Sequence, residues 1–269
     1  MYLYVAMPFV VYSDDNLTSK NIGEAVVSSF DFEELDDVHG YRHFRSGGID
    51  VLEIKGNILD CSFLDKIIST DFIVFVCSHS SSSGIASLTT HHEGNWSDDA
   101  KLGGRPKELS VAAPGAALAV MESLKRNNDS GLPVIYEATH HGPLLKTPSF
   151  FVEVGGTKDT LEGKKYSGLV ARSVVDALSE NETDSDCVLG IGGMHYAEKF
   201  TRIAFERGCA FSHIMPKYHV AEIGMLQQAV ERSSPMPEKA MIEWKSIKAS
   251  DREKIIVELN RIGIDYERV

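Results

Sequence analysis

The sequence predicts an α/β fold, a three-layer sandwich built on a mainly parallel or mixed sheet. Three observations carry that reading. Short β-branched or aromatic runs alternate with stretches of helical apolar spacing. One run, FIVFVC at 72–77, is almost continuously apolar, as suits a strand covered on both faces. Gly, Pro, Asp or Ser bounds the runs. In chain order, strands are expected at 2–9, 49–54, 71–78, 133–139, 149–154, 186–191, 210–215 and 240–247. Helices are expected at 16–29, with Asn16 and Thr18 as cap candidates, and at 115–127, apolar at spacings of three and four. Others are expected at 167–180, opening on Ser167, and at 196–207, 219–232 and 250–261. The serine run 80–83 and the stretch 93–107 read as loops, the second long enough to suggest a functional one. No composition break or repeat marks a boundary, so residues 1–269 are taken as one domain.

Hydrophobic residues make up 43% and charged residues 25%, enough for a sizeable core. The opening MYLYVAMPFV lacks a basic leader and a cleavage site, so it reads as a first strand rather than a signal peptide. No apolar run is long enough to cross a bilayer, and no membrane partner is expected. Cys61, Cys77, Cys187 and Cys209 are widely spaced, which favours free thiols in a reducing cytoplasm over a disulfide framework. A formal net charge of −12 argues against non-specific DNA or RNA binding, which needs cations to neutralise phosphates. It leaves room for local basic patches at Lys164-Lys165, Lys199 with Arg202, Lys217, and Lys245 with Lys248. Taken singly, each of these is more simply a solvated surface charge.

The ten histidines fall unevenly. His79 follows the strand 71–78, and His91-His92 lie in LTTHHEGN. His140-His141 follow the strand 133–139 in YEATHHGP, and His195 follows CVLGIGG. His213 and His219 flank a further strand. Ligands of open α/β sheets bind beyond the carboxyl ends of strands, where residues 79, 140/141 and 195 all sit. One histidine in such a place is most simply a hydrogen-bonded rim residue; four such places together favour a metal site or an acid–base relay. In an extended segment side chains alternate, so Glu137 and His141 are expected to share a face and His140 the other. Each doublet should then give one inward and one outward ring. If HYAEKF is helical, His195, Glu198 and Lys199 share a face. No His-Glu-x-x-His motif is present, so spacing alone does not specify zinc. The run GIGGMHY at 190–196 joins a strand to a helix, and the backbone N–H groups of Gly192 and Gly193 could cradle an anion there or simply form a tight turn. SHSSSSG at 78–84 is rich in hydroxyls but has no Gly-x-Ser-x-Gly elbow. Cys77, ending an apolar strand, is expected to be buried and inert.

Taken together, SHSSSSG with LTTHHEGN, then YEATHHGP, then GIGGMHYAEKFT resemble the archaeal and plant type of D-aminoacyl-tRNA deacylase. The likeness runs from MYLYVAMPFV to about residue 219, and His-His-Gly-Pro paired with Gly-Gly-x-His-Tyr-x-x-Lys-Phe is specific in combination. The resemblance implies a sandwich like those of purine nucleoside phosphorylases and peptidyl-tRNA hydrolases. It implies a zinc-dependent hydrolase of the ester joining a D-amino acid to tRNA, a proofreading step in translation. The partner implied is tRNA carrying D-tyrosine or another D-amino acid, handled by a cytoplasmic monomer or weak homo-oligomer. Ester hydrolysis needs an activated water, a stabiliser for the oxyanion and a proton for the departing ribose oxygen. The expected catalytic set is His79, Glu137, His140, His141, His195 and Lys199. The expected substrate-binding set is His91, His92, Asn95, Gly192, Gly193 and Tyr196. Zinc is expected on His92, His141 and His195. Two alternatives stay open: a metal-independent phosphorylase or nucleosidase with phosphate on Gly192-Gly193, and a non-catalytic tRNA- or metal-binding protein.

Overall fold

A computed structural model describes residues 7–79, 84–180 and 185–269. Among the described residues the chain forms a mixed α/β structure with two sheets. The first half opens with β1 (Phe9–Ser13) and α1 (Leu17–Ser29), and α1 is capped by Asn16, whose side chain accepts the Ser19 N–H at 2.9 Å. A hairpin of β2 (Glu33–Val38) and β3 (Tyr41–Ser46) leads into β4 (Ile49–Ile54). The short α2 (Leu64–Ile67) precedes β5 (Ile73–His79) and β6 (Ser87–His91). Next come α3 (Pro114–Asn127), β7 (Val134–Tyr136), β8 (Ser149–Gly155), α4 (Lys158–Glu162) and α5 (Lys164–Ser179). The second sheet begins with β9 (Cys187–Ile191), followed by α6 (Glu198–Arg207) and β10 (Ala210–Met215). A 3₁₀ segment, Lys217–Met225, runs into α7 (Leu226–Glu231), and β11 (Lys239–Ile242), α8 (Ala249–Ile262) and β12 (Asp265–Arg268) follow.

The larger sheet has eight strands in the order β2-β3-β4-β1-β5-β8-β6-β7 and is mixed: β4, β1, β5 and β8 run parallel, while β6 pairs antiparallel with β8. The smaller sheet, β10-β9-β11-β12, is wholly parallel. Strand alternation sorts the larger sheet's side chains by face. Val10, Val74, Val76, Phe150 and Val152 pack under helices α1, α3 and α5. Phe9, Val11, Ile73, Phe75 and Phe151 pack on the other face with Ile58 and Leu64. The first of these cores also takes in Val188, Phe211 and Met241 of the smaller sheet, so apolar contact is continuous between the sheets.

Several elements differ from the expectation. Of the expected strand 2–9, residues 2–6 lie outside the described residues, and the strand seen is Phe9–Ser13. Strands β2, β3, β6 and β12 carry no clear apolar alternation and were not expected. β2, EELDDV, is an exposed edge whose carboxylates discourage a further strand from pairing. The helix expected from 196 starts at Glu198, and the one expected over 219–232 is divided between the 3₁₀ segment and α7. The strand expected to 247 ends at Ile242, where a 3₁₀ turn at Trp244–Ser246 begins.

The strand expected over 133–139 stops at Tyr136 for a reason that matters to function. The Glu137 N–H still bonds the Thr90 carbonyl of β6 at 3.0 Å. The next two turn to the smaller sheet: Ala138 N–H reaches the His195 carbonyl at 2.7 Å and Thr139 N–H the Ile214 carbonyl at 3.0 Å. The chain crosses from one sheet to the other within these three residues.

Candidate active site

That crossing gathers imidazoles from both sheets around one carboxylate. Glu137 is buried, and its Oε2 lies 2.9 Å from His195 Nε2, 3.3 Å from His79 Nδ1 and 3.7 Å from His140 Nε2. His79 ends β5, His140 follows the crossing, and His195 lies in the loop after β9. Beside this group, Glu153 of β8 places Oε2 3.4 Å from His91 Nε2 and 3.5 Å from His79 Nδ1. The rings of His91 and His140 are 4.2 Å apart, those of His140 and His141 4.3 Å, and those of His91 and His141 4.7 Å.

Backbone geometry fixes how the second doublet presents its nitrogens. His141 adopts φ +44°, a left-handed conformation that a non-glycine residue holds at a cost of about 1–2 kcal/mol. The turn is packed so closely that a Cβ on Gly142 would meet the Gly104 nitrogen at 2.3 Å and the Leu59 carbonyl oxygen at 2.7 Å. Within it, His140 Nδ1 donates to the Ala138 carbonyl at 2.9 Å and His141 Nδ1 to the Gly142 carbonyl at 2.6 Å. Each ring is thereby held in the tautomer that leaves Nε2 a bare acceptor.

The electrostatics divide the cluster. Burial depresses His140 well below the usual imidazole range, and the neighbouring His91, His141 and His195 add to this. Burial, with the charge of His91, brings His141 down to about 4. His91 goes the other way: burial would lower it, but its hydrogen bond to Glu153 and the charges of Glu153, Glu137 and Glu93 push it up to about 9. His79 is likewise raised, Glu153 and Glu137 outweighing its burial. Glu153 is held below the usual carboxylate range, because the hydrogen bonds of His79 and His91 overcome its desolvation.

This donor set suits a cation. The ligand atoms of His79, Glu137, His140 and His195 all lie within 4.8 Å of one another, as do those of His91, His140 and His141, and those of His91, Glu137 and Glu153. Among the described residues, both carboxylate oxygens of Glu137, Glu153 Oε2 and His91 Nε2 are buried with no hydrogen bond of good geometry, only the close imidazole–carboxylate approaches given above. The bare Nε2 of His140 faces the Glu137 oxygen, acceptor against acceptor, an arrangement that a cation between them relieves. Backbone carbonyls behind His140 and His141 supply the outer support that metal-ligating imidazoles commonly have.

A model of the D-aminoacyl-tRNA deacylase family matches residues 67–267. The chain belongs to that family. It is 32% identical to a D-aminoacyl-tRNA deacylase of Thermococcus onnurineus, covering 97% of this chain and all of that one. It is 32% identical to one of Pyrococcus furiosus, covering 97% of this chain and 99% of that one. The fold matches the crystal structure of a conserved protein of unknown function, AF0625, with a TM-score of 0.91 and 27% identity, covering 99% of this chain and 96% of the other.

Against the deacylase reading of the sequence, the structure brings together His79, Glu137, His140, His141 and His195. It also brings in two groups that were given no catalytic or metal role. His91, expected only to touch substrate, stands in the cluster where His92 was expected. Glu153 was not expected at all; its signal was a lone carboxylate inside the apolar run FFVEVG. His92 points to the opposite side of β6, with Nδ1 donating to the Ser212 carbonyl at 2.9 Å and its ring near His213 and Phe150. Burial and His213 lower it to about 3, so it is a neutral core histidine away from the ligand group. Asn95 spends its amide on the Gly103 and Arg105 carbonyls, bracing the 93–107 loop rather than facing the cluster.

Gly192 and Gly193 do not form an anion cradle. Their N–H groups are taken by the Met215 carbonyl at 2.8 Å and Ser246 Oγ at 2.8 Å, and the Glu243 carboxylate lies against Gly193. This removes the feature on which a phosphorylase reading rested. Tyr196 packs edge-on to His79 and His195, and its buried hydroxyl has no hydrogen-bond partner among the described residues. His195 and Tyr196 precede α6, so the expected helical face shared with Lys199 does not form; Lys199 sits half-buried in the first turn. Of SHSSSSG, residues 80–83 lie outside the described residues. Cys77 is buried, and that burial pushes its thiol up to about 12, far from a nucleophile's range. No helix among the described residues is long and apolar enough to cross a membrane.

Proposed function

We propose that this chain hydrolyses the ester of D-aminoacyl-tRNA, releasing the D-amino acid and tRNA, and that His79, Glu137, His140 and His195 hold a zinc ion for that reaction. One observation carries the reading: a single buried carboxylate oxygen lies within 3.7 Å of imidazole nitrogens from three separate chain segments. A zinc ion held there supplies a Lewis acid that lowers the pKa of a water to about 7.

The chain's own residues do the remaining work. His141, neutral at pH 7 with its Nε2 bare, accepts the proton of the attacking water and returns it to the ribose oxygen as the ester C–O bond breaks. His91 stays protonated, keeps Glu153 ionised and fixes His79 through it. The Tyr196 hydroxyl, unpaired beside His79 and His195, donates to the oxygen that gains charge as the carbonyl is attacked. A cavity of about 450 Å³ opens from His79, His140, His141 and Glu153 toward the ends of β1 and β4, lined also by Asp15, Asn16, Asn57 and Leu102. It receives the aminoacyl group, with the Asp15 carboxylate facing the α-ammonium. The protein acts on tRNA in the cytoplasm as part of translation quality control.

Metal analysis of the purified protein, followed by release of D-tyrosine from D-tyrosyl-tRNA with and without chelator, tests both parts. Stoichiometric zinc and chelator-sensitive release are expected. Release that survives complete metal removal keeps the deacylase and ends the zinc assignment; no release under any condition ends the enzyme.

A further inference from the structure

A chain of net charge −12 repels a polyanion over most of its surface, so it must meet tRNA at a restricted place. The carboxyl edge of the smaller sheet is such a place. Three loops leave that edge, after β9, β10 and β11, and they are laced together. Lys217 N–H bonds the Gly193 carbonyl at 3.0 Å, Gly193 N–H bonds Ser246 Oγ at 2.8 Å, and Glu243 N–H bonds the Ile191 carbonyl at 2.9 Å. This lacing brings Lys217 together with Lys245 and Lys248, which flank Ser246. All three are exposed, and none forms an ion pair among the described residues. The acid on these loops is Glu243; Glu198 and Asp251 lie in the first turns of the helices that follow, and Glu222 is taken by Lys107 at 3.2 Å.

The patch adjoins the histidine cluster. Gly193, the hub of the lacing, is two residues from His195. Tyr218 follows Lys217 with its ring 52% exposed, unusual for an aromatic side chain. Burial of one side and the charge of Glu137 raise its phenol, which fits a ring at the rim of the catalytic cleft. Exposed aromatic rings beside unpaired lysines are the combination that binds single-stranded RNA, the rings stacking on bases and the cations tracking phosphates.

We infer that this edge receives the single-stranded 3′ end of the tRNA, with backbone phosphates on Lys217, Lys245 and Lys248 and the terminal base stacked on Tyr218. The inference rests on the deacylase reading for its choice of RNA. It orients the substrate: the aminoacyl group enters the cavity on the larger sheet's side while the acceptor strand leaves over the smaller sheet.

Binding of uncharged tRNA over a range of salt tests it. Replacing Lys217→Ala, Lys245→Ala and Lys248→Ala together should weaken binding at least tenfold and flatten the slope of log Kd against log salt by about 2, at roughly 0.7 per single-strand phosphate. The same charge change on the helical layer, Lys20→Ala, Lys125→Ala and Lys165→Ala, should leave the slope as in the wild type. Tyr218→Ala should raise KM for D-tyrosyl-tRNA about tenfold with kcat held, and Tyr218→Phe should restore it. A wild-type slope in the edge variant, or an equal loss in the helical-layer variant, overturns the proposal. So does a Tyr218→Phe variant as impaired as Tyr218→Ala. Wild-type protein that binds tRNA with the expected slope but releases no D-tyrosine leaves this surface standing and ends the deacylase reading instead.

Discussion

The two histidine doublets, His91-His92 and His140-His141, look alike in sequence and behave differently in the fold. His91-His92 leaves the end of β6 in extended backbone, so its rings part: His91 joins the carboxylates and His92 enters the core between the sheets. His140-His141 lies in a turn, with His141 at φ +44°, and both rings face the cluster. Alternation of side chains is a property of strands, not of doublets. Where the backbone is a ladder, one ring of a pair is given to packing; where it leaves the ladder, both can be given to chemistry.

The sharpest way to break this contrast is to remove the turn's rings. His140→Ala and His141→Ala should each lower kcat/KM for D-tyrosyl-tRNA at least about 100-fold with circular dichroism unchanged. Unchanged turnover in either removes that ring from the site. The strand doublet should split: His91→Ala should lose activity and hold metal more weakly, because Glu153 no longer fixes His79, whereas His92→Ala should keep its metal affinity and lose roughly 2 kcal/mol of stability in urea titration. If His92→Ala is the variant that sheds metal, His92 and not His91 belongs with the metal-binding cluster.

Glu93, next after the first doublet, sharpens the comparison through pH. It is fully buried, the Ser149 hydroxyl donates to its carboxyl group at 3.2 Å, and burial pushes it from 4.5 up to about 8. A folded-state value above the unfolded one means stability that is fully present below pH 4.5 and is lost as pH rises through 8. Glu93→Gln should therefore flatten the decline of stability across that window, an effect on the order of a few kcal/mol by pH 9. Parallel stability profiles for the two proteins would show that Glu93 does not titrate there. The smallest effect is expected at Lys199, outside both doublets. Lys199→Ala should weaken tRNA binding modestly and reduce the salt slope by less than 1; an unaltered slope makes it ordinary surface.

Much of the site was legible because strand ends are legible. His79, His140, His141 and His195 each follow a strand that the sequence marks by apolar runs and turn residues, and Glu137 comes with them. His91, expected among the substrate-binding residues, was not placed in the histidine–carboxylate cluster because β6, SLTTH, is too short and polar to be read as a strand, and without the strand the parity of the doublet cannot be set. Gly192-Gly193 were assigned from their place between a strand and a helix, and Asn95 without any such positional argument; the polar groups of all three turn out to be used within the fold. The fold class was readable from alternating strands and helices. The division into two sheets was not, because it depends on where residues 137–139 send their N–H groups, and no local pattern records that choice.

Because Glu137 continues the last strand of one sheet while His195 belongs to the other, whatever grips both fastens the two halves like a rivet. A ligand bound only by the native state raises unfolding free energy with its own concentration. Melting temperature thus becomes a gauge of site occupancy, legible without any tRNA.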